Sequence, residues 1–95
     1  LNHLENIYNY FKIEANIQVA RKITKNIVDK TISLENHPGI GQKEPLLKER
    51  KKEYRYLVEG NYKIIYWNDE KINVIHIAAI FNCRQNPEKI KTILF

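Results

Sequence analysis

Ninety-five residues, 43% apolar and 28% charged with three Gly and three Pro, suffice for one modest core and not for two ordinary domains, so a single domain over 1–95 is expected. That composition excludes collagen-like, low-complexity and disordered chains, and an apolar run no longer than 77–81 falls far short of the roughly 20 residues of a membrane helix. The net charge of +5 is lopsided, with five Lys/Arg against four Asp/Glu in 1–42 and eleven against seven in 43–95, so an acidic partner would face the second half.

Leu4, Ile7, Tyr8 and Phe11 share one stripe of a 3.6-residue period and predict a helix over 1–13. Because the chain opens at Leu1, inside this pattern and without Met, further N-terminal sequence is expected to precede it. After a break at 14–16, Ala20, Ile23, Ile27, Thr31 and Leu34 form a second stripe, predicting a helix over 16–35 antiparallel to the first. Pro38 and Gly39 stop it, and a loop through about residue 44 follows.

From Tyr54 the period changes to two. Strands are expected at 54–59 and 62–68, joined by turn chemistry at Glu59-Gly60-Asn61, and a further strand at 72–81 follows the turn at 68–71. The last strand is apolar on both alternations except Asn73 and His76, the pattern of a central strand covered on both faces. Asn86-Pro87-Glu88 reads as a helix cap, first position and favourable acid, opening a short helix from Pro87. The expected fold is therefore α+β, with a helical hairpin packed on one face of an antiparallel meander. If Tyr54, Tyr56, Tyr62, Ile64 and Tyr66 lie under the helices, Arg55 and Lys63 emerge together on the opposite face as an anion site.

Lys43, Lys48, Arg50, Lys51, Lys52 and Arg55, followed by Tyr54, Tyr56, Tyr62, Tyr66 and Trp67, combine cations for phosphates with rings for unpaired bases. The other reading is a solvated loop feeding strands whose tyrosines fill the core. Arg84 stands between the last strand and the Asn86 cap, where anions are attracted, or else pairs with Glu88. His76 is either a hydrogen-bonded core residue or an acid–base group. His3, His37 and Cys83 show no metal-ligand spacing, so no metal or cofactor is expected. A lone Cys83 cannot form an internal disulfide and suits a reducing cytoplasm.

Leu4-Glu5-Asn6-Ile7-Tyr8, Ala20, Leu34 with Pro38 and Gly41, Tyr54-Arg55-Tyr56-Leu57, Gly60-Asn61-Tyr62-Lys63-Ile64-Ile65-Tyr66 and the closing Phe81-Asn82-Cys83-Arg84-Gln85-Asn86-Pro87 together resemble the RelE/ParE superfamily, the toxins of type II toxin–antitoxin systems. The ending looks like the plasmid-stabilisation or ParE-like branch. Family members usually open with a strand before the helical hairpin, and the sequence from Leu1 is expected to lack it; a sheet edge would then be left unpaired.

The resemblance implies a cytoplasmic toxin neutralised by a cognate antitoxin, with DNA gyrase or the ribosome and its mRNA as target and no membrane partner. In the ribonuclease branch, basic residues and a tyrosine surround the scissile phosphate. Arg55, Lys63 and Arg84 match basic positions, with His76 a candidate base, but Leu57 stands where a lysine is usual and Ile90 where the tyrosine would be. RNA cleavage needs a base, an acid and cationic stabilisation, so gyrase inhibition fits these residues better than cleavage. A member that binds antitoxin without toxicity is the third reading. Lys51, Lys52, Arg55, Lys63 and Arg84 are the expected contacts for the acidic partner.

Overall fold

The computed structural model describes residues 2–92. α1 (Asn2–Glu14) and α2 (Ile17–Ile32) form an antiparallel pair. The break between them is set by Asn16, whose extended backbone leaves its side-chain oxygen free to accept the Val19 N–H at 2.9 Å, an N-cap that offsets one orphan donor of the first turn. The helix expected through residue 35 ends at Ile32, and a 3-10 turn over Ser33–Glu35 tightens the end and buries Leu34.

Four antiparallel strands follow in the order β1-β2-β3-β4: Gln42–Lys43, Arg55–Glu59, Tyr62–Asp69 and Val74–Asn82. β1 lies where a loop was expected, because two residues carry no readable alternation and pair only because the edge of β2 offers partners. Beyond it, a 3-10 turn at Pro45–Leu47 is capped by Glu44. The helix expected from Pro87 is also a 3-10 turn, Pro87–Lys91, with the Asn86 side chain accepting the Glu88 N–H at 3.1 Å.

The hairpin between β2 and β3 corrects the expected faces. Its loop is only Gly60 and Asn61, with Gly60 at φ +58, so Glu59 stands opposite Tyr62. A two-residue loop places odd positions of β2 opposite even positions of β3, and opposed residues share a face. Arg55 and Leu57 therefore lie with Tyr66 and Ile64, whereas Tyr56 and Val58 lie with Ile65 and Lys63. Arg55 and Lys63 are on opposite faces, and Tyr56 is not under the helices with Tyr62, Ile64 and Tyr66.

Ile7, Ile27, Tyr62 and Ile64 form the helix-side core with Leu4, Phe11, Ile23 and Ile80. The other face carries its own cluster of Leu47, Ile65, Ala79, Phe81 and Ile90, joined by Leu46, Tyr54 and Tyr56. The face expected to be open is thus partly closed by the two 3-10 turns.

The last strand is also corrected. It begins at Val74, because Asn73 adopts φ +54, a left-handed conformation that Asn tolerates in turns. Among the described residues β4 is an edge strand rather than a central one, and β3 takes the central place with Ile64, Ile65 and Tyr66 fully buried. A register shift at Ile65/Tyr66 pairs Ile65 with Ala79 and Tyr66 with Ile77, leaving Ala78 as a bulge. The bulge moves the helix-facing series from Ile75 and Ile77 to Ile80, so both alternations read apolar. At the free edge the Ile80 N–H donates to His3 Nδ1 at 2.9 Å.

Candidate functional site

Each expected basic residue has a distinct environment. Lys63 Nζ donates to Glu44 Oε1 at 2.8 Å and sits 4.2 Å from the centre of the Tyr56 ring. Glu44 is 2% exposed, and its second oxygen accepts the Leu46 N–H at 3.1 Å. A buried carboxylate needs such partners, so the lysine's charge is already used inside the molecule.

Arg55 is used differently. Its Nη1 donates to the Gly41 carbonyl at 2.8 Å, and its Nη2 pairs with Glu53 at 3.1 Å. A hydrogen bond from Lys43, aided by Arg55, holds the Glu53 carboxyl below the usual carboxylate range. Beside Arg55 the buried Tyr66 hydroxyl donates to the Pro38 carbonyl and accepts the Gly41 N–H, both at 2.9 Å. A Cβ on Gly41 would meet that hydroxyl at 2.6 Å, so only glycine lets the loop approach this closely. Arg55 and Tyr66 therefore fasten the segment after α2 to the sheet.

Arg84 lies past β4. Its backbone N–H donates to Asn82 Oδ1 at 3.0 Å, and among the described residues its guanidinium makes no hydrogen bond or ion pair. Glu88, the alternative partner considered from sequence, instead pairs with Lys91 at 3.1 Å. Arg84 lines a cavity of about 270 Å3 with Tyr62, Glu59 and Asn26 at the far end of the helix face. Tyr62 and Tyr66 are four residues apart, about 13 Å along a strand, so Arg84 and Arg55 do not meet even though both lie toward the helices.

His76 stacks on Trp67 with ring centres 4.3 Å apart and planes at 14°, and Lys52 Nζ lies 4.2 Å over the Trp67 ring. His76 Nε2 is buried without a hydrogen-bond partner. Lys51 is exposed. The structure thus joins Lys52, Trp67 and His76 in one stack and separates Arg55, Lys63 and Arg84. Ile90, at the position implied for a tyrosine, is 0% exposed and plugs the second core.

Sequence reading missed Glu44, which looked like one more solvated charge in an alternating run. The available signal was an acid directly before Pro45 and the apolar pair Leu46-Leu47, a pattern that fits a turn cap. It also missed Tyr10, on the polar side of the α1 stripe, which faces Tyr62 across a second cavity. Among the described residues no group of three His, Cys, Asp or Glu could hold a metal ion, and no helix is long and apolar enough to cross a membrane.

No curated protein matches the chain. The family described as ParE toxin of type II toxin–antitoxin system, parDE, matches residues 1–87, which takes in both helices, all four strands and Arg84. A match over that span, most of the chain, shows that the chain belongs to the ParE toxins of type II toxin–antitoxin systems.

Proposed function

We propose that this toxin acts by inhibiting DNA gyrase and is silenced when its antitoxin covers the basic second half of the chain. The observation that carries the choice is the Lys63–Glu44 pair at 2.8 Å. A ribonuclease must offer its cations to a phosphorane, and here one candidate is neutralised by a buried acid while Arg55 is bound to Gly41 and Glu53. Filling of the Lys63 face by Leu47 and Ile90 supports the same reading. Purified toxin added to gyrase and relaxed plasmid is expected to block supercoiling or accumulate cleaved complexes, and addition of antitoxin to restore activity. Unimpaired supercoiling at high micromolar toxin defeats the proposal.

A second reading, ribosome-dependent mRNA cleavage, draws support from the Lys52–Trp67–His76 stack, which offers a cation and rings to a nucleic acid. Programmed ribosomes test it directly: cut mRNA in the A site, lost on His76→Ala, would favour this reading over gyrase.

A further inference from the structure

The cavity of about 270 Å3 between the middle of α2 and the β2–β3 hairpin is lined by two opposite charges, Arg84 and Glu59. Among the described residues, neither the Arg84 guanidinium nor the half-buried Glu59 carboxylate makes a hydrogen bond or an ion pair, so the two share one space without neutralising each other. Their segments are tied together. Glu59 stands opposite Tyr62 at the end of β2, and the Cys83 N–H donates to the Asn61 carbonyl at 2.7 Å, which fastens the turn carrying Arg84 to the hairpin carrying Glu59. The Arg84 N–H is itself held by Asn82 Oδ1 at 3.0 Å.

The rest of the wall carries no charge. Phe11, Ile23 and Ile27 form an apolar side, and Asn26 and Tyr62 add an amide and a hydroxyl. Burial, reinforced by Tyr10, pushes the Tyr62 phenol up from its ordinary value while Arg84 opposes the shift. The hydroxyl therefore keeps its proton at neutral pH and can donate alongside the guanidinium.

This lining discriminates by charge. A simple anion gains Arg84 but meets the Glu59 carboxylate, and a simple cation meets the reverse. A neutral apolar molecule takes both charges from water and pairs neither, which is costly. A molecule carrying both signs pairs each of them, and charge-assisted bonds at two ends are the strong kind. The volume lies just below the roughly 300–1,000 Å3 of drug-sized sites, so the ligand is small, and the apolar side calls for a hydrocarbon branch. We propose that this cavity binds an apolar α-amino acid as its zwitterion, with the carboxylate on Arg84 and the Tyr62 hydroxyl, the ammonium on Glu59 and the Asn26 amide oxygen, and the side chain against Phe11, Ile23 and Ile27. The site uses neither Lys63 nor Arg55 and does not rest on the gyrase reading.

The test is a titration of the purified chain at neutral pH and constant ionic strength, followed through backbone amide resonances. The probes are leucine, glycine, leucinamide, which lacks the carboxylate, and N-acetyl-leucine, which lacks the ammonium. Saturable shifts centred on residues 23–27, 59–62 and 84 are expected with leucine, and each of the other three should bind at least about tenfold more weakly. Two variants assign the ends. Arg84→Gln should weaken leucine by about tenfold without weakening leucinamide, and Glu59→Gln should weaken leucine by a similar factor without weakening N-acetyl-leucine. Lys71→Gln, which removes a unit charge from the turn before β4, should change nothing. The comparison of analogues on the native chain decides the matter even where a variant fails to fold. No saturation by leucine at about 20 mM, leucinamide or N-acetyl-leucine binding as tightly as leucine, or leucine binding indifferent to either variant would overturn the proposal. So would tighter binding at the same residues of an acidic peptide with blocked termini, which would make the cavity a seat for a partner chain.

Discussion

The two faces of the sheet are closed by different means. On one, α1 and α2 lay continuous stripes over Tyr62 and Ile64; on the other, 3-10 turns of three and five residues bring Leu47 and Ile90 over Ile65 and Phe81. Helices of 13 and 16 residues repeat their contact every turn, whereas a single 3-10 turn has little stability of its own. The second face therefore depends on a few contacts, one of which is the Glu44–Lys63 pair. Local opening is expected there before the helix side separates.

Breaking that pair is the strongest way to sharpen the contrast. Lys63→Met leaves Glu44 charged and nearly solvent-free and is expected to cost about 3 kcal/mol in urea unfolding, with much of the loss recovered in the double variant Glu44→Gln/Lys63→Met. Equal losses for single and double variants would show that Glu44 finds another partner. Next come matched deletions, Ile27→Ala for the helix face and Ile90→Ala for the other, each expected to cost about 3 kcal/mol. Hydrogen exchange should separate them: Ile90→Ala should first release amides around Leu47, and Ile27→Ala should lower protection throughout the helices and β3. Uniform loss in both would show that the two faces open together.

Tyr66→Phe tests the fastening of the loop after α2. It leaves the Pro38 carbonyl and the Gly41 N–H without their partner, an expected cost of about 2 kcal/mol, with faster exchange at Gly41 and no change around Ile90. The smallest effect concerns His3, whose partial burial holds its pKa below the ordinary 6.5. The neutral ring is the form that accepts the Ile80 N–H, so its contribution is present above 6.5 and is lost as pH falls through the lower folded value. The protection factor of the Ile80 amide should fall with acidification in the native chain and lose this pH dependence in His3→Leu.

The two faces were not equally legible in the sequence. Ile7, Ala20, Ile27 and Leu34 declare their stripe because a helical period repeats over many residues. The opposite core has no such repeat: Leu47 and Ile90 come from short turns separated by three strands. Placing Tyr56 on the wrong face came from extending one alternation through the hairpin and from counting Glu59 in the turn, although strand bounds of 54–59 and 62–68 already contained the information needed to pair Glu59 with Tyr62. The Ala78 bulge was hidden because it changes the phase of β4 without any Gly or Pro to mark it. At the candidate sites, Arg84 was visible from its place before a cap, whereas Glu44 needed knowledge of which charges the fold encloses.

The bulge at Ala78 and the His3 contact at Ile80 also bear on what the edge of β4 offers to another strand. An exposed strand edge is a template on which a second molecule can lengthen the sheet. Along β4 that template is interrupted, because the bulge breaks the regular spacing of donors and acceptors and His3 already occupies the Ile80 N–H two residues later. An incoming strand finds only short stretches on either side of the interruption, too little to hold a register. Among the described residues, the rim that carries the exposed Val74 and Ile77 is thus guarded by irregularity rather than by charge.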